Sequence, residues 1–341
     1  MRENMKAVVY YKAYDVRLEE RPVPVLDDGE VLIKVAYSGI CGSDVSIYMG
    51  KHPRATPPVI IGHEFSGEVV EVRASNSPLK VGDRVAVEPL FNCGRCYACV
   101  DGAYNTCLNL KMPGHNTDGS FAEYAKAPAN RVYKVPEGVS MEVAAVIEPT
   151  SVAAHAVRRS RLRVGDHAVV LGGGPIGLLV GQIARLTTEI PVALVEVSDW
   201  RLELARKLGL DVVDAERENV RQAIEDRTDG RGADVVFDAA GAAPLTEQIS
   251  TFVKVRGQIV MVAMPKEPRP VDLGIFAYKQ ADMFGCRAFT YRDCEAAIAL
   301  MAERKVDIDS MISHIMPLEQ YHEGLELAKK AEASMKILLR P

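Results

Sequence analysis

The stretch Val169–Gly177, with the sequence VVLGGGPIG, joins a short apolar run to a G-x-G-x-x-G pattern. In such a turn the first glycine permits a tight bend, the second leaves room for a pyrophosphate, and the third lets a helix pack against a strand. The pattern therefore predicts a strand, a phosphate-binding turn and a helix, which together form a dinucleotide site. The residues predicted to bind the cofactor here are Gly172, Gly174, Pro175, Ile176 and Gly177.

An acidic residue, Glu196, follows the next apolar run. A carboxylate at this place can accept hydrogen bonds from the ribose hydroxyls of NAD and would repel the 2′-phosphate of NADP. Arg201 is close enough in sequence to weaken that preference, or it could stack on the adenine. The sequence therefore predicts NAD as the cofactor, with Glu196 and Arg201 at its ribose end and NADP as the less favoured alternative.

Apolar runs alternate with helical patterns from about Gly165 onward. Strands are predicted at 167–171, 192–197, 234–238 and 258–262. The helix after Ser198 carries Leu202 and Leu208 on one face, with Ser198 as its cap and Gly209 at its end. Because repeated β-α units require a parallel sheet covered on both faces, the predicted fold class is α/β with a doubly wound parallel sheet.

The first part of the chain, up to about residue 150, has a different pattern. Short apolar strands, such as 31–35 and 67–72, are separated there by Gly, Pro and Asp turns. After about Gly285 the pattern is mixed again, with a helix near 293–303 and a last strand at 336–339. We therefore expect a β-rich domain, an inserted α/β domain and a C-terminal return.

Four cysteines are spaced C-x2-C-x2-C-x7-C, at Cys93, Cys96, Cys99 and Cys107. Four thiolates satisfy tetrahedral zinc and leave no open position on the metal. We therefore predict a structural zinc lobe at about 91–109. The alternatives are unrelated core thiols or a set of disulfides.

A second, dispersed set of potential metal ligands consists of Cys41, His63, Glu64 and Glu148. One thiolate, one imidazole and carboxylates can hold zinc with an exchangeable position for water or substrate. Such a zinc would polarise an alcohol oxygen while hydride leaves carbon for nicotinamide. Ser43 could relay the alcohol proton, and Asp44 could hold the other imidazole nitrogen of His63.

These motifs resemble the zinc-containing medium-chain dehydrogenases over nearly the whole chain. The segments that carry the resemblance are Gly39–Asp44, Gly62–Glu64, the four-cysteine lobe, Asp118–Tyr124, Ile147–Pro149 and the glycine pattern. The resemblance implies a GroES-like catalytic domain at 1–151, a Rossmann NAD-binding domain at 152–287 and a return at 288–341 that completes the catalytic domain. It also implies an active site in the cleft between the domains. Zinc is expected to be held by Cys41, His63 and Glu148, with Glu64 moving on or off the metal.

The pair Glu148-Pro149 resembles the branch that contains sorbitol, threonine, butanediol and sugar-acid dehydrogenases, since simple alcohol dehydrogenases have a cysteine at the first position. Animal sorbitol dehydrogenases carry an Arg-Tyr pair where this chain has Ala288 and Phe289, which argues against sorbitol itself. The expected reaction converts a secondary alcohol (a polyol, sugar acid, vicinal diol or hydroxy amino acid) to a ketone. A zinc-braced reductase and a non-catalytic nucleotide-binding protein of the same fold are the alternatives.

The loop Lys51–Arg54 lies between the two ligand segments and carries two positive charges. If the loop faces the substrate, its charge would suit a carboxylated or phosphorylated molecule. Otherwise it is a solvated surface loop.

The bulk composition limits the possible partners. The chain has 41 basic and 46 acidic residues, a net charge of -5, which gives no support to a nucleic-acid or anionic-membrane partner. No segment has the apolar length of a membrane span, and the N-terminus lacks the apolar core of a signal peptide. We therefore expect a cytoplasmic protein. The resemblance implies a homo-oligomer, a tetramer or a dimer, and 258–264 is a candidate outer strand for pairing subunits.

Overall fold

The computed structural model describes residues 3–265 and 267–341, and the chain divides into two compact units. The first unit contains the chain up to Glu148 together with Thr290–Arg304 and Met311–Pro341. The second contains Pro149–Phe289 and the short segment Lys305–Ser310. The C-terminal return is therefore interrupted, because Lys305–Ser310 lies inside the predicted return but packs with the second unit.

Strands and helices follow one another along the chain. The strands are β1 (Asn4–Lys12), β2 (Asp15–Pro22), β3 (Glu30–Gly39), β4 (Val59–Ile60), β5 (Glu64–Arg73), β6 (Arg84–Val87), β7 (Tyr124–Pro128), β8 (Val132–Lys134), β9 (Ala168–Leu171), β10 (Ala193–Glu196), β11 (Asp211–Asp214), β12 (Ala233–Asp238), β13 (Val253–Met261), β14 (Asp282–Gly285), β15 (Ile312–Pro317) and β16 (Lys336–Arg340). The helices are α1 (Gly42–Tyr48), α2 (Tyr97–Val100), α3 (Met141–Ala144), α4 (Ile147–Arg159), α5 (Pro175–Thr188), α6 (Asp199–Lys207), α7 (Val220–Arg227), α8 (Ala243–Thr246), α9 (Ile249–Phe252), α10 (Leu273–Lys279), α11 (Tyr291–Ala302) and α12 (Tyr321–Lys330). Short 3-10 helices lie at Tyr104–Thr106, Ala129–Arg131, Asp309–Met311 and Leu318–Gln320.

The second unit is built on a six-stranded sheet in the order β11-β10-β9-β12-β13-β14, with every pair parallel. The chain runs outward from β9 to β11 and then returns to the other side of β9 as β12. This reversal makes the sheet doubly wound, which confirms the predicted α/β fold class. Ligands of such sheets bind beyond the carboxyl ends of the strands at the reversal point, here between β9 and β12.

The prediction of an outer strand at 258–264 is wrong. β13 pairs with β12 on one side and with β14 on the other, so it lies inside the sheet. Among the described residues the edges of this sheet are β11 and β14. The sequence suggested an edge because the run at 258–262 is the last strongly apolar strand of the unit, whereas β14 is mostly exposed.

The helix predicted after Ser198 is α6, but its capping differs from the prediction. Ser198 occupies the N-cap position without a side-chain hydrogen bond to the helix. Its backbone N–H instead donates to Oε1 of Glu196 at 3.1 Å. Ser198 thus holds the predicted N-cap position, and the carboxylate of Glu196 accepts the backbone N–H of the cap residue itself.

The first unit contains a three-stranded sheet, β2-β1-β4, and a seven-stranded sheet in which β15-β16-β3-β5-β6-β8 are in order and β7 also pairs with β3. Alternate residues of the strands point into apolar cores, one of which includes Val31, Ile33, Phe65, Val69 and Val85. This alternation of buried and exposed residues explains why the short strands of the first unit could be predicted from the sequence.

Three strand ends lie side by side in the larger sheet, and this row of strand ends is called the site edge below. β3 ends at Gly39, which pairs with Glu64 at the start of the antiparallel strand β5. β16 runs antiparallel to β3 on its other side, with Leu338 opposite Gly39, so Lys336 at the start of β16 comes to the site edge. Residues from three distant parts of the chain are thereby brought together.

Gly62, just before the site edge, is tightly enclosed. Its φ of +92° lies in the left-handed region, and a Cβ there would lie 2.2 Å from the ring of Phe121. The backbone carbonyl of Gly62 also lies within 2.1 Å of where a Cβ on Gly119 would be. The segment after Gly114 therefore crosses directly over the residue that precedes His63.

Within residues 3–265 and 267–341, no helix combines the length and the apolar character that crossing a membrane requires.

We predict that Gly62→Ala destabilises the protein more than Gly82→Ala. Both glycines have nearly the same φ, +92° and +91°, but a Cβ on Gly82 would meet no atom within 4 Å, whereas one on Gly62 would meet Phe121. The positive φ should cost each variant about 1–2 kcal/mol, and overpacking should add about 1–3 kcal/mol in Gly62→Ala. Urea denaturation of both variants measures the difference, and equal losses of unfolding free energy would contradict the packing argument.

Candidate active site

Three potential metal ligands gather where β3, β5 and α1 meet. Cys41 lies between β3 and α1, His63 directly precedes β5, and Glu64 is the first residue of β5. One donor atom from each residue, a sulfur, an imidazole nitrogen and a carboxylate oxygen, lies within 4.8 Å of the other two. One thiolate, one imidazole and one carboxylate form a zinc donor set that leaves a fourth position for water or substrate.

Asp44, in the first turn of α1, is fully buried beside this group. Its Oδ2 accepts a hydrogen bond from the backbone N–H of Cys41 at 2.9 Å, and its Oδ1 accepts one from Gly62 at 3.2 Å. Oδ1 lies 3.6 Å from Nδ1 of His63, too far for a hydrogen bond, and that nitrogen has no hydrogen-bond partner among the residues that the structure describes. The predicted contact between Asp44 and His63 is therefore electrostatic.

The electrostatics of the pocket favour a cation. Burial acts to lower the pKa of His63, but the negative charges of Asp44 and Cys41 outweigh it and hold this pKa well above its usual value. The negative groups therefore attract positive charge to the place where the three donor atoms meet. A metal ion bound by Cys41, His63 and Glu64 would supply that charge, so the residues present fit a metal centre.

A buried lysine balances Glu64. Lys336 is only 2 % exposed, and its Nζ donates to Oε2 of Glu64 at 2.5 Å and to the carbonyl of Ile40 at 3.4 Å. Burial opposes its charge, yet Glu64 and Cys41 keep the pKa of Lys336 above its usual value. Breaking a buried pair of this kind by removing one partner typically costs about 3–5 kcal/mol.

Glu148, in the first turn of α4, lies near the group without joining it. Burial and then the negative charge of Glu64 raise the pKa of Glu148 to about 7, so its carboxyl is within electrostatic reach. The sequence predicts Cys41, His63, Glu64 and Glu148 as ligands; the donor atoms of the first three lie within 4.8 Å of one another, and binding by Glu148 stays a prediction. Glu64 lies beside Cys41 because it follows His63 directly and pairs with Gly39, two residues before Cys41.

Ser43 lies beside a histidine that the sequence analysis did not identify. Nε2 of His115 is 3.4 Å from Oγ of Ser43. The His115 ring also meets the rings of His63 and His52 edge to face, with centroids 5.2 Å and 4.4 Å apart. Burial, followed by the charge of His63, lowers the pKa of His115 to about 3, so the ring is neutral at pH 7. A neutral imidazole has one acceptor nitrogen and can accept a hydrogen bond from the serine hydroxyl.

The four cysteines of the predicted lobe come together around α2. Their Sγ atoms lie 3.5 Å apart for Cys96 and Cys99, 3.5 Å for Cys93 and Cys107, and 3.9 Å for Cys96 and Cys107. Tetrahedral zinc with Zn–S bonds of about 2.3 Å separates its sulfurs by about 3.8 Å. No disulfide joins any of the seven cysteines in the structure. Backbone N–H groups lower the pKa of Cys93 to about 6, so a thiolate forms there readily.

Asn92 joins the lobe to a buried charge pair. Its Nδ2 donates to Sγ of Cys99 at 3.4 Å, and its Oδ1 accepts a hydrogen bond from Arg131. Arg131 also donates to the fully buried Glu88 at 3.0 Å and stacks over the ring of Tyr104 at 4.4 Å. The guanidinium group thereby fixes the orientation of the amide that faces the cysteine sulfur.

The glycine loop of the second unit lies between β9 and α5, at the reversal point of the sheet. Gly172 has a φ of +97°, and a Cβ there would lie 2.8 Å from Ala240 on the loop after β12. A Cβ on Gly177 would lie 1.8 Å from the carbonyl of Gly172, so the helix could not approach the strand with a larger residue. Gly174 is the N-cap of α5, has open space beside it and is followed by Pro175 at the first helical position. Open space in front of the free N–H groups fits a pyrophosphate.

Glu196 ends β10 beside this loop. Its Oε2 accepts a hydrogen bond from Gly173 at 2.8 Å, and its Oε1 accepts from Val197 at 2.7 Å as well as from Ser198. A guanidinium nitrogen of Arg201 lies 3.5 Å from Oε2, while Nε of Arg201 is buried without a hydrogen-bond partner in the described part of the chain. The carboxylate is thus held at the loop, and Arg201 retains an unused donor beside it.

A second loop of the cofactor region was missed by the sequence analysis. Asp238, buried at the end of β12, accepts hydrogen bonds from Ala240 at 3.1 Å, Gly241 at 2.8 Å and the hydroxyl of Thr246 at 3.0 Å. These bonds fix the loop that contacts Gly172. An aspartate at the end of an apolar run and before a Gly was the available signal in the sequence.

Comparisons with known proteins match both parts of the chain. The family model of the alcohol dehydrogenase GroES-like domain matches residues 27–137, and that of the zinc-binding dehydrogenases matches residues 175–303. The chain is 39% identical, over 85% of each protein, to 2-dehydro-3-deoxy-L-galactonate 5-dehydrogenase of Pseudoalteromonas atlantica. It is 38% identical to D-arabitol-phosphate dehydrogenase of Enterococcus avium, over 89% of this chain and 88% of that protein. It is also similar to the crystal structure of 2R,3R-butanediol dehydrogenase from Bacillus subtilis, with a TM-score of 0.92, 34% identity and 99% of both chains covered.

The chain belongs to the zinc-containing medium-chain dehydrogenases. Within this family it falls in the polyol dehydrogenase branch, as the Glu148-Pro149 pair predicted. It is a zinc-dependent oxidoreductase that acts on alcohols with a nicotinamide cofactor. The predicted family, fold class and type of reaction are confirmed. The two alternatives, a zinc-braced reductase and a non-catalytic nucleotide-binding protein, find no support.

Asn92→Ala should weaken zinc binding by the cysteine lobe of this dehydrogenase, because it removes the donor that Arg131 orients towards Cys99. Loss of such a contact to a metal ligand typically lowers metal affinity about 10- to 100-fold. The rate of zinc transfer to a chromogenic chelator, measured in a Cys41→Ser background so that only the lobe contributes, tests this.

Asn109→Ala is the matched control for this prediction. Nδ2 of Asn109 lies at a longer distance, 3.8 Å, from the sulfur of Cys93 and is exposed. We expect its zinc release to stay close to that of the unmodified lobe. Equal acceleration in the two variants would show that the buried charge pair has no special role.

Proposed function

We propose that the enzyme oxidises a secondary hydroxyl group of a polyol, sugar acid, vicinal diol or hydroxy amino acid to a ketone, with NAD as the hydride acceptor. The observation that carries this proposal is the meeting of Cys41, His63 and Glu64 within 4.8 Å of one another. A zinc ion bound there would polarise the alcohol oxygen and lower its pKa, so that hydride can leave for the nicotinamide.

Two zinc ions per chain are part of the proposal. Cys41, His63 and Glu64 would hold the catalytic ion. Glu148, whose pKa is raised by burial and by the charge of Glu64, would be a fourth protein ligand for it. The other ion would be held by the four cysteines of the lobe, whose sulfur spacing is close to that around tetrahedral zinc.

The neighbouring residues of the chain handle the proton and the charge. Ser43 would accept the proton of the substrate hydroxyl, because a hydroxyl group can both donate and accept. His115, 3.4 Å away, would orient the serine by accepting its hydrogen bond. Lys336 would offset the charge of Glu64, and Asp44 would hold the backbone next to Cys41 and His63.

Relatives of the chain support a negatively charged substrate. One is named for a sugar acid, a 2-dehydro-3-deoxy-L-galactonate, and another for D-arabitol phosphate. We therefore include sugar acids and polyol phosphates in the proposed substrate class, as the charge of the loop Lys51–Arg54 suggested.

Cys41→Ser should lower the zinc content from about two ions per chain to about one and abolish NAD reduction, since serine is a poor zinc ligand and the lobe is left intact. Metal analysis together with absorbance at 340 nm, over a panel of polyols, sugar acids, polyol phosphates, threonine and butanediol, measures both effects. Cys286→Ala, at a buried cysteine outside both metal groups, is the control and should keep both ions. Activity that survives Cys41→Ser would contradict the proposed centre.

NAD is proposed as the cofactor in preference to NADP because of the carboxylate of Glu196 beside the glycine loop. Hydrogen bonds to charged groups contribute about 1.5–3 kcal/mol, so Glu196→Ala should lower kcat/KM with NAD by about 10- to 100-fold and improve the use of NADP. Glu203→Ala, at an exposed residue of the helix α6 that follows β10, is the control. A wild-type enzyme that prefers NADP would contradict the proposal and would assign the unused donor of Arg201 to the 2′-phosphate.

A homo-oligomer, a tetramer or a dimer, is the proposed assembly. Closed tetramers of identical subunits commonly need two different contact surfaces, and two exposed apolar groups support this. One, beside the edge strand β14 and helix α10, consists of Leu273, Tyr278 and Met283; the other, on the cysteine lobe, consists of Tyr97, Val100 and Leu108. A mass of one chain in native mass spectrometry would contradict the proposal.

The proposed location is the cytoplasm. All seven cysteines are free of disulfides, and two groups of them suit metal binding, which is typical of a reducing compartment. Cell fractionation of a tagged protein tests the location.

A further inference from the structure

The loop between α1 and β4 carries two positive charges that have no counter-charge. Lys51 and Arg54 are exposed, and neither forms an ion pair with any residue that the structure describes. Two buried carboxylates of the candidate site already have partners, Asp44 with His63 and Glu64 with Lys336. The loop therefore contributes uncompensated positive charge to this part of the first unit.

Hydrogen bonds hold the loop against the segment that carries His115. Lys51 donates from its backbone to Ser46 at 2.8 Å, and Thr56 donates to the carbonyl of His115 at 2.9 Å. A position fixed from both ends lowers the entropy that a bound ligand would have to remove from the loop. The backbone that carries Arg54 is thus fixed beside the segment of His115.

His52 supplies a neutral donor on the same loop. Its Nδ1 accepts the backbone N–H of Arg54 at 3.3 Å, so in the neutral ring the proton is on Nε2. Burial lowers the pKa of His52, which keeps the ring neutral at pH 7. The rings of His52 and His115 meet edge to face with centroids 4.4 Å apart, and Nε2 of His115 lies 3.4 Å from Oγ of Ser43. Adjacent contacts therefore connect the loop to the residue proposed to receive the substrate proton.

We infer that Arg54, together with Lys51 and the Nε2–H of His52, binds a terminal phosphate or carboxylate group of the substrate. A guanidinium group presents paired N–H donors that match the oxygens of either anion. The enzyme then selects a sugar derivative with an anionic end over the neutral polyol of the same carbon chain. This inference rests on the proposed function, because it assigns the other end of the same substrate.

Steady-state kinetics with three matched substrates test the subsite: a five-carbon polyol, its terminal monophosphate and the corresponding aldonic acid, each with saturating NAD. Loss of charge-assisted hydrogen bonds in Arg54→Gln should raise KM for the anionic substrate by about 10- to 100-fold, with kcat and the KM of the neutral polyol changed less than about twofold. Arg54→Lys keeps the charge but not the paired donors, so its KM for the anionic substrate should lie between those of the wild type and Arg54→Gln. If the KM that rises in Arg54→Gln is that of the monophosphate, the bound group is a phosphate. If it is that of the aldonic acid, the bound group is a carboxylate.

Arg163→Gln, at an exposed arginine of the second unit, is the control and should leave all three KM values unchanged. An equal rise of KM for the neutral and anionic substrates in Arg54→Gln would mean a disturbed loop and would overturn the inference. Preference of the wild type for the neutral polyol would also overturn it.

Calorimetric binding of the same three compounds to the zinc- and NAD-loaded enzyme separates this inference from the proposed function. If no compound is oxidised, the proposed function fails for this substrate class, but binding still tests the subsite. Tighter binding of an anionic compound that is lost in Arg54→Gln supports the subsite. Equal binding of all three compounds by wild type and variant, or no binding of any of them, overturns it.

Discussion

The antiparallel pairing of Gly39 with Glu64 determines where the metal-binding groups of the first unit lie. Because side chains alternate between the two faces of a strand, a shift of one residue in this register would turn Glu64 away from Cys41. The site edge receives Lys336 through the pairing of β16 with β3. The two registers on either side of β3 thus set the donor atoms and the charge that compensates them.

The charges at the site edge are arranged around a position for a cation. Asp44 and Glu64 are negative and buried, Lys336 is positive and buried, and the neighbouring ring of His115 is kept neutral by its burial. Buried charges are tolerated when they are paired or coordinate a metal. The neutral imidazoles of His115 and His52 provide hydrogen-bonding groups without adding charge. The positive potential near them therefore comes from the loop Lys51–Arg54.

Short contiguous motifs made most of the fold and site predictable. The glycine turn and the cysteine lobe depend on residues close in sequence, so their spacing alone defines their geometry. The placement of Glu64 beside Cys41, and the presence of Lys336 and His115, depend on strand pairing and chain crossings over long separations, which no local pattern encodes. Ser198 has the residue type of a cap and occupies the N-cap position, but its side chain makes no capping bond and its N–H is bound by Glu196, a contact that only the folded backbone reveals. The edge of the parallel sheet was misjudged for a related reason, because an exposed edge strand lacks the apolar pattern that identifies a strand.

The two metal groups differ in how much of the chain must exist before each can form. The cysteines of the lobe span Cys93–Cys107, a short loop whose closure costs little conformational entropy, and they leave the ribosome long before the chain is complete. The group at Cys41 acquires its compensating lysine only when β16, the last strand, has been synthesised and has paired with β3. The four cysteines can therefore come together early in synthesis, whereas the group at Cys41 receives its counter-charge later. A chain that ends before Lys336 would keep the first site and leave Glu64 without its counter-charge.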